Sequence, residues 1–281
     1  MTKLKYYLKE FLIWCFYTYE IPEEWNKLTD FQLKLIGHLF YTENSIKTKY
    51  FKELVFAALV MRKPSLKYVF KVIFIFFKTP SSDLIRYTDF VFNENESLTR
   101  FIPVIKVGFI FSRKKLLGPG IRLSNISIQE LSYADAFFYN WIKEPSSINL
   151  QRLVACLYRP ISKTPKSDDK REEFNKLLLP DNAIHTDKIP LHVQYIIALA
   201  YQGSREKIMD KFTYVFPKSK TEETEAAPKK QKQYQPFSKI INAMAMDDNK
   251  IFGTLTETEK ANAFQFLEIY NETIRQSIIK K

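Results

Sequence analysis

The sequence predicts a mainly α-helical fold: an irregular multi-helix bundle with a short β hairpin or extended arm near residues 100–125 and a tethered C-terminal helical pair. Two observations support this fold class. Apolar residues recur at spacings of three and four along most of the chain, which places them on one face of a helix. The 281 residues include only six glycines, and the 13 prolines fall mostly between the periodic segments, which is typical of helices joined by short loops.

The first predicted unit, residues 1–79, contains three amphipathic helices. The first is expected over residues 3–19. Thr29 and Gln32 have the spacing of a capping box, in which each side chain bonds the backbone N–H of the other residue, and they predict the start of the second helix. The third is expected over about residues 47–62.

The most hydrophobic run of the chain is Leu66–Phe77, with the sequence LKYVFKVIFIFF. It has about a dozen residues and contains Lys71, whereas a membrane-spanning helix needs roughly 20 apolar residues. We therefore predict a buried helix or strand here. Neither a spanning segment nor a targeting segment is expected, because Lys9 and Glu10 interrupt the apolar N-terminal stretch and no small-residue cleavage site follows it.

The predicted central domain covers residues 80–217 and begins with its least helical part. The run VIKVGFIF at residues 104–111 is rich in β-branched and aromatic residues, which predicts the hairpin or arm. The sequence LGPG at residues 117–120 predicts a tight turn that needs a positive φ. It lacks the Lys-Ser/Thr pair of a phosphate-binding P-loop.

Two consecutive helices are predicted between residues 123 and 160. Ser127 and Glu130 have capping-box spacing at the start of the first helix, and Pro145 ends it because the residue before a proline is disfavoured in the α region. Ser146 or Ser147 begins the second helix. The apolar stripe expected to face inward on the first helix comprises Leu131, Ala134, Phe138, Trp141 and Ile142.

Shorter helices are predicted for the rest of the chain. One is expected over about residues 168–179, with Phe174, Leu177 and Leu178 inward, and another from Pro190 to Ala200, ended by Gly203. Residues 218–236 form a predicted charged linker. The last unit, residues 237–281, contains a helix at 238–246 and another at about 257–280, opened by Thr256 and Glu259.

The formal net charge is +12, from 43 Lys and Arg against 31 Asp and Glu. Such an excess suits nucleic acid or another polyanion as a partner. Most of the basic residues are lysines, however, and no arginine-rich arm, helix-turn-helix sequence or zinc-finger spacing concentrates them. The pattern favours a lysine-rich solvated surface, with a nucleic-acid-associated protein as the alternative.

No motif in the sequence requires catalysis. His38, His185 and His192 do not share a helical face and lack the spacing of metal ligands. Cys15 and Cys156 lie in apolar helical patterns, which predicts buried free thiols. The sequence predicts a non-enzyme with no catalytic, cofactor-binding or metal-binding residues. An enzyme whose site residues are scattered along the chain stays a second alternative.

Three groups of residues together carry a resemblance to a known family. They are Pro22, Trp25, Leu28, Thr29, Gln32 and Leu33; Gly118, Pro119, Leu123, Asn125, Ser127 and Glu130; and Leu150, Leu153, Ala155, Leu157, Tyr158, Arg159 and Pro160. The combination resembles a family encoded in phages and prophages, whose genes lie near phage structural and tail genes. The resemblance covers about two thirds of the chain, and its motifs are mainly helix caps and core positions.

The resemblance implies a phage structural or assembly protein similar to a tail-assembly chaperone. Its partners would be other phage structural or assembly proteins, and its location the host cytoplasm or the virion, with no membrane partner. Ten motif positions stand out and are predicted to be structural: Trp25, Thr29, Gln32, Gly118, Pro119, Asn125, Ser127, Glu130, Tyr158 and Arg159.

Overall fold

The computed structural model describes residues 20–43, 50–108, 114–165, 169–217, 237–246 and 251–279. It is mainly helical with a small three-stranded antiparallel sheet, which confirms the predicted fold class. The predicted helix over residues 3–19, Cys15 and the predicted linker over residues 218–236 lie outside the described residues.

The chain forms two compact units. The first unit comprises Met1–Leu98 with Leu191–Leu199, and the second comprises Thr99–Pro190 with Ala200–Lys281. The four-part division drawn from the sequence stays a prediction.

Short helices make up the first unit. They are α1 (Asp30–Glu43), α2 (Phe51–Val60), α3 (Leu66–Lys78), α4 (Ser81–Leu84) and α5 (Asp89–Phe92). One-turn 3₁₀ helices precede α1 at Trp25–Lys27 and join α4 to α5 at Ile85–Thr88. Part of the core is a cluster of Phe56, Val60, Ile75 and Leu84.

The predicted capping box opens α1. The Thr29 amide donates to Gln32 Oε1 at 2.8 Å, and the Gln32 amide donates to Thr29 Oγ1 at 3.2 Å. The Thr29 and Gln32 amides, which have no acceptor within the helix, are therefore both hydrogen-bonded by side chains, as the spacing predicts. The Gln32 side-chain amide also donates to the Leu59 carbonyl, so the same residue ties α1 to α2.

The prediction that Leu66–Phe77 is buried is wrong for most of its side chains. The run is a helix, α3, but among its residues only Lys71 and Ile75 are buried. Leu66 is 75% exposed and Phe77 is 82% exposed. Apolar residues occupy nearly every side of this helix, whereas Ile75 is the one apolar side chain of the helix that is buried in the described part of the first unit. Hydrophobicity alone therefore could not identify the buried side.

A small sheet begins the second unit. Strand β1 (Val104–Val107) pairs antiparallel with β2 (Lys114–Leu117), and β2 pairs antiparallel with β3 (Arg159–Pro160). Ile105 lies opposite Leu116, and both are buried. The hairpin, rather than the extended arm, is therefore the correct alternative.

Seven α-helices are described wholly or partly within the second unit. They are α6 (Ile128–Lys143), α7 (Ser147–Leu157), α8 (Leu179–Thr186), α9 (Leu191–Lys211), α10 (Phe237–Met246), α11 (Leu255–Lys260) and α12 (Ala263–Ile279). α6 and α7 are the two helices predicted on either side of Pro145. The Ser146 hydroxyl caps α7 by accepting from the Asn149 amide at 3.3 Å. Of the predicted inward stripe on α6, Leu131, Ala134 and Phe138 are buried, Trp141 is half-buried and Ile142 is exposed.

The helix predicted over residues 168–179 is wrong. Ile161 and Arg171 form an antiparallel bridge instead, and a 3₁₀ turn at Lys176–Leu178 leads into α8. Leu177 and Leu178 are exposed rather than inward. The physical reason is that an extended backbone at Arg171 places its side chain in ion pairs with Glu130 and Asp169, as described below.

Helix α9 continues through Gly203, where the sequence predicted an end. Two contacts hold α9 against α6 on either side of this glycine: Tyr201 donates to Asp135 Oδ1 at 3.3 Å, and Arg205 forms an ion pair with Asp135. A glycine in a helix interior costs only about 1 kcal/mol relative to alanine. Such packing offsets that cost.

The C-terminal capping box lies two residues before the predicted one. Thr254 and Glu257 close it, and they open α11 rather than a single long helix. The Asn262 side chain then accepts from the Phe264 amide at 2.9 Å and begins α12. The predicted helix at 238–246 is present as α10. Among the helices of the described ranges, none has the length and apolar character needed to cross a membrane.

Candidate functional site

The N-terminal motif positions lie together in the first unit. Trp25 is buried and meets the ring of Phe90 edge-on, with centroids 6.3 Å apart. Thr29 caps α1 and donates through Oγ1 to the Arg62 carbonyl at 3.0 Å. With Gln32 bonded to Leu59, these residues join the start of α1 to α2 and α5. Their contacts are those of a helix junction.

Gly118 is needed for close approach, and the predicted positive φ of its turn is wrong. A Cβ at Gly118 would lie 2.8 Å from the Ile102 carbonyl oxygen and 2.9 Å from the Tyr158 ring. Tyr158 in turn donates through its hydroxyl to the same carbonyl at 2.8 Å. The left-handed backbone occurs just after the turn, at Arg122 (φ 55°) and Leu123 (φ 62°).

Asn125 and Pro119 belong to the same loop. The Asn125 side chain accepts from the Gly120 amide at 2.6 Å, which closes the loop that follows Pro119. A Cβ at Gly120 would approach Ser124 Oγ at 2.6 Å. This crowding shows that the loop packs on itself, so its backbone does not form an open cradle for a phosphate.

The capping box predicted at Ser127 and Glu130 is only half formed. The Ser127 hydroxyl accepts from the Glu130 amide at 3.1 Å, as predicted. The Glu130 carboxylate is the correction: it is buried and lies between two arginines, with Oε1 2.9 Å from Arg159 Nη1 and 2.8 Å from Arg171 Nη1. The two guanidinium groups are stronger hydrogen-bond partners for a buried carboxylate than one backbone N–H.

Asp169 completes this buried ionic network. Its carboxylate lies 2.7 Å from Arg171 Nη2 and 3.9 Å from Arg159 Nη2. Burial by itself lowers the pKa of Arg171, but the charges of Glu130 and Asp169 outweigh burial and raise that pKa further above its ordinary value. We call Glu130, Arg159, Asp169 and Arg171 the ionic network. Its two positive and two negative charges cancel.

Backbone carbonyls satisfy the remaining donors of the ionic network. Arg171 Nη1 donates to the Leu157 carbonyl at 2.8 Å. Arg159 donates to the Cys156 carbonyl through Nη1 at 2.7 Å and to the Glu172 carbonyl through Nε at 2.8 Å. The network therefore connects α6, the end of α7 and the extended segment around Arg171.

A cleft of about 740 Å³ lies over the ionic network. All four network residues line it, and the other lining side chains are mostly small and polar: Ser124, Asn125, Ser127, Gln129, Ser162, Thr164 and Asn262, with Ile126, Glu173, Phe174 and Lys260. Both arginines are already neutralised, so an anion entering the cleft would have to displace a carboxylate. The Ser127 hydroxyl is engaged as a helix cap. The arrangement suits a structural role for Glu130 and Arg159.

Sequence reasoning missed Asp169 and Arg171. It assigned Asp169 to the start of a helix, where acidic residues complement the dipole. Glu130 and Arg171 are 41 residues apart, and no periodic pattern links positions at that distance. The one usable signal was Arg171 itself. A buried carboxylate in a protein needs a partner of opposite charge, and an arginine can provide it.

Cys156 is a buried free thiol, as predicted. Its Sγ donates to the Glu130 carbonyl at 3.4 Å. Burial raises the pKa of this thiol well above its ordinary value, and the nearby Glu130 charge raises it further. Because the thiolate is the reactive form, this environment makes Cys156 unreactive.

Two of the three histidines meet in the first unit. The rings of His38 on α1 and His192 on α9 lie edge to face with centroids 5.2 Å apart. Gly37 permits this crossing, because a Cβ there would lie 2.7 Å from the His192 carbonyl oxygen. His185 instead places Nε2 3.1 Å from Lys114 Nζ in the second unit. Over the described ranges, no cluster of three or more His, Cys, Asp or Glu is placed to hold a metal.

The histidine pair makes the stability of the first unit depend on pH. Burial, then the charges of His38 and Lys34, lower the pKa of His192 below its ordinary value of 6.5. The unfolded chain therefore binds a proton more readily than the folded chain, so stability is complete above pH 6.5 and falls as the pH drops through the folded pKa. Urea unfolding at pH 7.5 and pH 5.5 is expected to show a lower midpoint at the acidic pH.

Histidine substitutions separate this contribution from general acid destabilisation. His192→Gln is expected to reduce the difference between the two midpoints, and His185→Gln, in the second unit, is the matched control. An equal reduction by both substitutions would contradict the assignment.

An exposed apolar surface lies on α3 in the first unit. Leu66, Phe70, Ile73 and Phe77 recur at spacings of four, three and four and are all exposed; we call these four residues the α3 stripe. This spacing places them along one side of the helix. The opposite side carries Ile75, which packs into the cluster of Phe56, Val60 and Leu84.

Comparisons with known proteins give no match: the chain matches no protein-family model, no curated protein and no solved structure.

Proposed function

We propose that the chain is a non-enzymatic phage structural or assembly protein that acts through protein–protein contacts, in the manner of a tail-assembly chaperone, in the host cytoplasm or the virion. The observation that carries the contact function is the α3 stripe. The phage context comes from the sequence resemblance at the motif positions around Trp25, Gly118 and Tyr158.

Single exposed apolar residues are normal on protein surfaces, but a row of them is not. The four side chains of the α3 stripe are large, and they follow one another at helical spacing. Helix-in-groove recognition uses anchors at this kind of spacing. A contiguous exposed apolar patch commonly marks an interaction surface.

The cleft in the second unit supports a structural role there. Its charged residues neutralise one another within the ionic network, and the network fastens α6 to the segment around Arg171. The motif positions Glu130 and Arg159 thus help to hold the fold of the second unit. The α3 stripe is the surface from which contact with other proteins is proposed.

Co-purification tests the proposed function. The tagged chain would be expressed together with the products of the genes that flank its own, among which the resemblance implies structural and tail proteins, and we expect at least one of these proteins to co-purify. The substitution Phe70→Asp places a charge in the α3 stripe and should abolish recovery of the co-purifying protein. Ile142→Asp is the matched control, since Ile142 is similarly exposed but lies on α6. Recovery of none of these proteins, or equal recovery with Phe70→Asp, would contradict the proposal.

A further inference from the structure

Lysines border the α3 stripe. Lys67 and Lys78 are both exposed, and they are eleven residues apart, which is about three helical turns. They therefore lie on the same edge of α3. Lys78 also lies beside the stripe, with Nζ 5.7 Å from the centroid of the Phe77 ring. The sequence from Arg62 to Ser82 contains no Asp or Glu, so the charged residues of α3 itself are all positive.

We infer that α3 binds an amphipathic helix of another protein, with acidic residues along the edge that faces Lys67 and Lys78. This inference rests on the proposed function and adds the chemistry of the partner. The stripe from Leu66 to Phe77 extends over about 16 Å, so the partner would supply an apolar face of about three turns. Opposite charges at the edge of an apolar interface determine register and partner choice.

A second copy of this chain fits the surface less well. Antiparallel pairing of two α3 helices would place Lys67 of each copy opposite Lys78 of the other. Parallel pairing would place the lysine edge of each copy against the Val69 edge of the other, where α3 has no acidic residue. The antiparallel arrangement brings like charges together, which disfavours association, and the parallel arrangement gives the lysines no opposite charge.

An anionic membrane also fits less well. A helix lying in a membrane interface has headgroups along both of its edges. In α3, however, Lys67 and Lys78 lie on one edge, while the other edge carries the apolar Val69. This asymmetry suits a single partner helix.

Two synthetic peptides of about 18 residues test the inference. Both carry the same Leu and Phe stripe; one has glutamates at two positions three turns apart on one edge, and the other has lysines there. In fluorescence anisotropy titrations with the full chain, the glutamate peptide should bind at least about tenfold more tightly. Phe70→Asp should weaken its binding at least about thirtyfold, and Ile142→Asp should leave it unchanged. The double variant Lys67→Glu/Lys78→Glu should reverse the preference between the peptides.

Several outcomes would overturn the inference. They are equal binding of the two peptides, binding of neither, a dimer that Phe70→Asp disrupts, and flotation with phosphatidylglycerol vesicles without peptide binding. Co-purification separates failure of the inference from failure of the proposed function. If recovery of the structural proteins still requires Phe70 while the two peptides bind equally, the contact function stands and only the inferred acidic character of the partner helix is contradicted.

Discussion

Replacing Glu130 with alanine is expected to lower the free energy of unfolding of the second unit by about 3–5 kcal/mol. The Glu130 carboxylate is the only described group that pairs closely with both Arg159 and Arg171, at 2.9 and 2.8 Å. Its removal leaves Arg159 buried with Asp169 3.9 Å away. An uncompensated buried charge is what makes the loss of one partner so costly.

Hydrogen-exchange mass spectrometry measures this loss in the second unit separately. Peptides from α6 and α7 report local opening there, and their protection should fall in Glu130→Ala. Glu272→Ala is the matched control, because Glu272 is also a helical glutamate paired with an arginine, Arg275 at 2.8 Å, but both are exposed. Such surface pairs contribute little to stability, because solvent screens them. Similar protection in the two variants would show that the ionic network does not stabilise the fold.

The same sequence spacing had two different outcomes, which shows how far the caps could be predicted. Thr29 and Gln32 close their box, because the Gln32 side chain accepts from the Thr29 amide through Oε1 while its Nε2 donates to the Leu59 carbonyl. Glu130 stands at the same spacing from Ser127, yet its carboxylate turns to Arg159 and Arg171. The helix starts were therefore predictable from local pattern. The ionic network was not, because it depends on residues far apart in sequence.

The burial of α3 was not predictable for a related reason. The sequence of α3 identifies an apolar segment, but its β-branched and aromatic residues left helix and strand both open. Which side of α3 is covered depends on Phe56 and Leu84, which reach Ile75 only through the fold. A hydrophobic run therefore predicts that a contact exists, but it does not say whether the contact lies within the chain or with another protein.

Ile75→Ala and Ile73→Ala should differ by several kcal/mol in their effect on the first unit. Ile75 is 3% exposed and packs against Phe56, Val60 and Leu84, so its truncation is expected to cost about 2–5 kcal/mol. Ile73 is 59% exposed, and its truncation should change stability by no more than about 0.5 kcal/mol. The two sites lie in the same helix and share one substitution, so the gain in helix propensity from alanine cancels in the comparison.

Hydrogen exchange in peptides from α2 and α3 provides the measurement. Protection should fall in Ile75→Ala and stay near that of the unchanged chain in Ile73→Ala. Equal losses would mean that the α3 stripe is packed within the protein, and no surface would then be available on α3 for an acidic partner helix. Because the α3 stripe is proposed to bind a partner helix, Ile73→Ala should instead weaken the binding of the glutamate peptide. A substitution that lowers affinity without lowering stability separates a contact residue from a core residue.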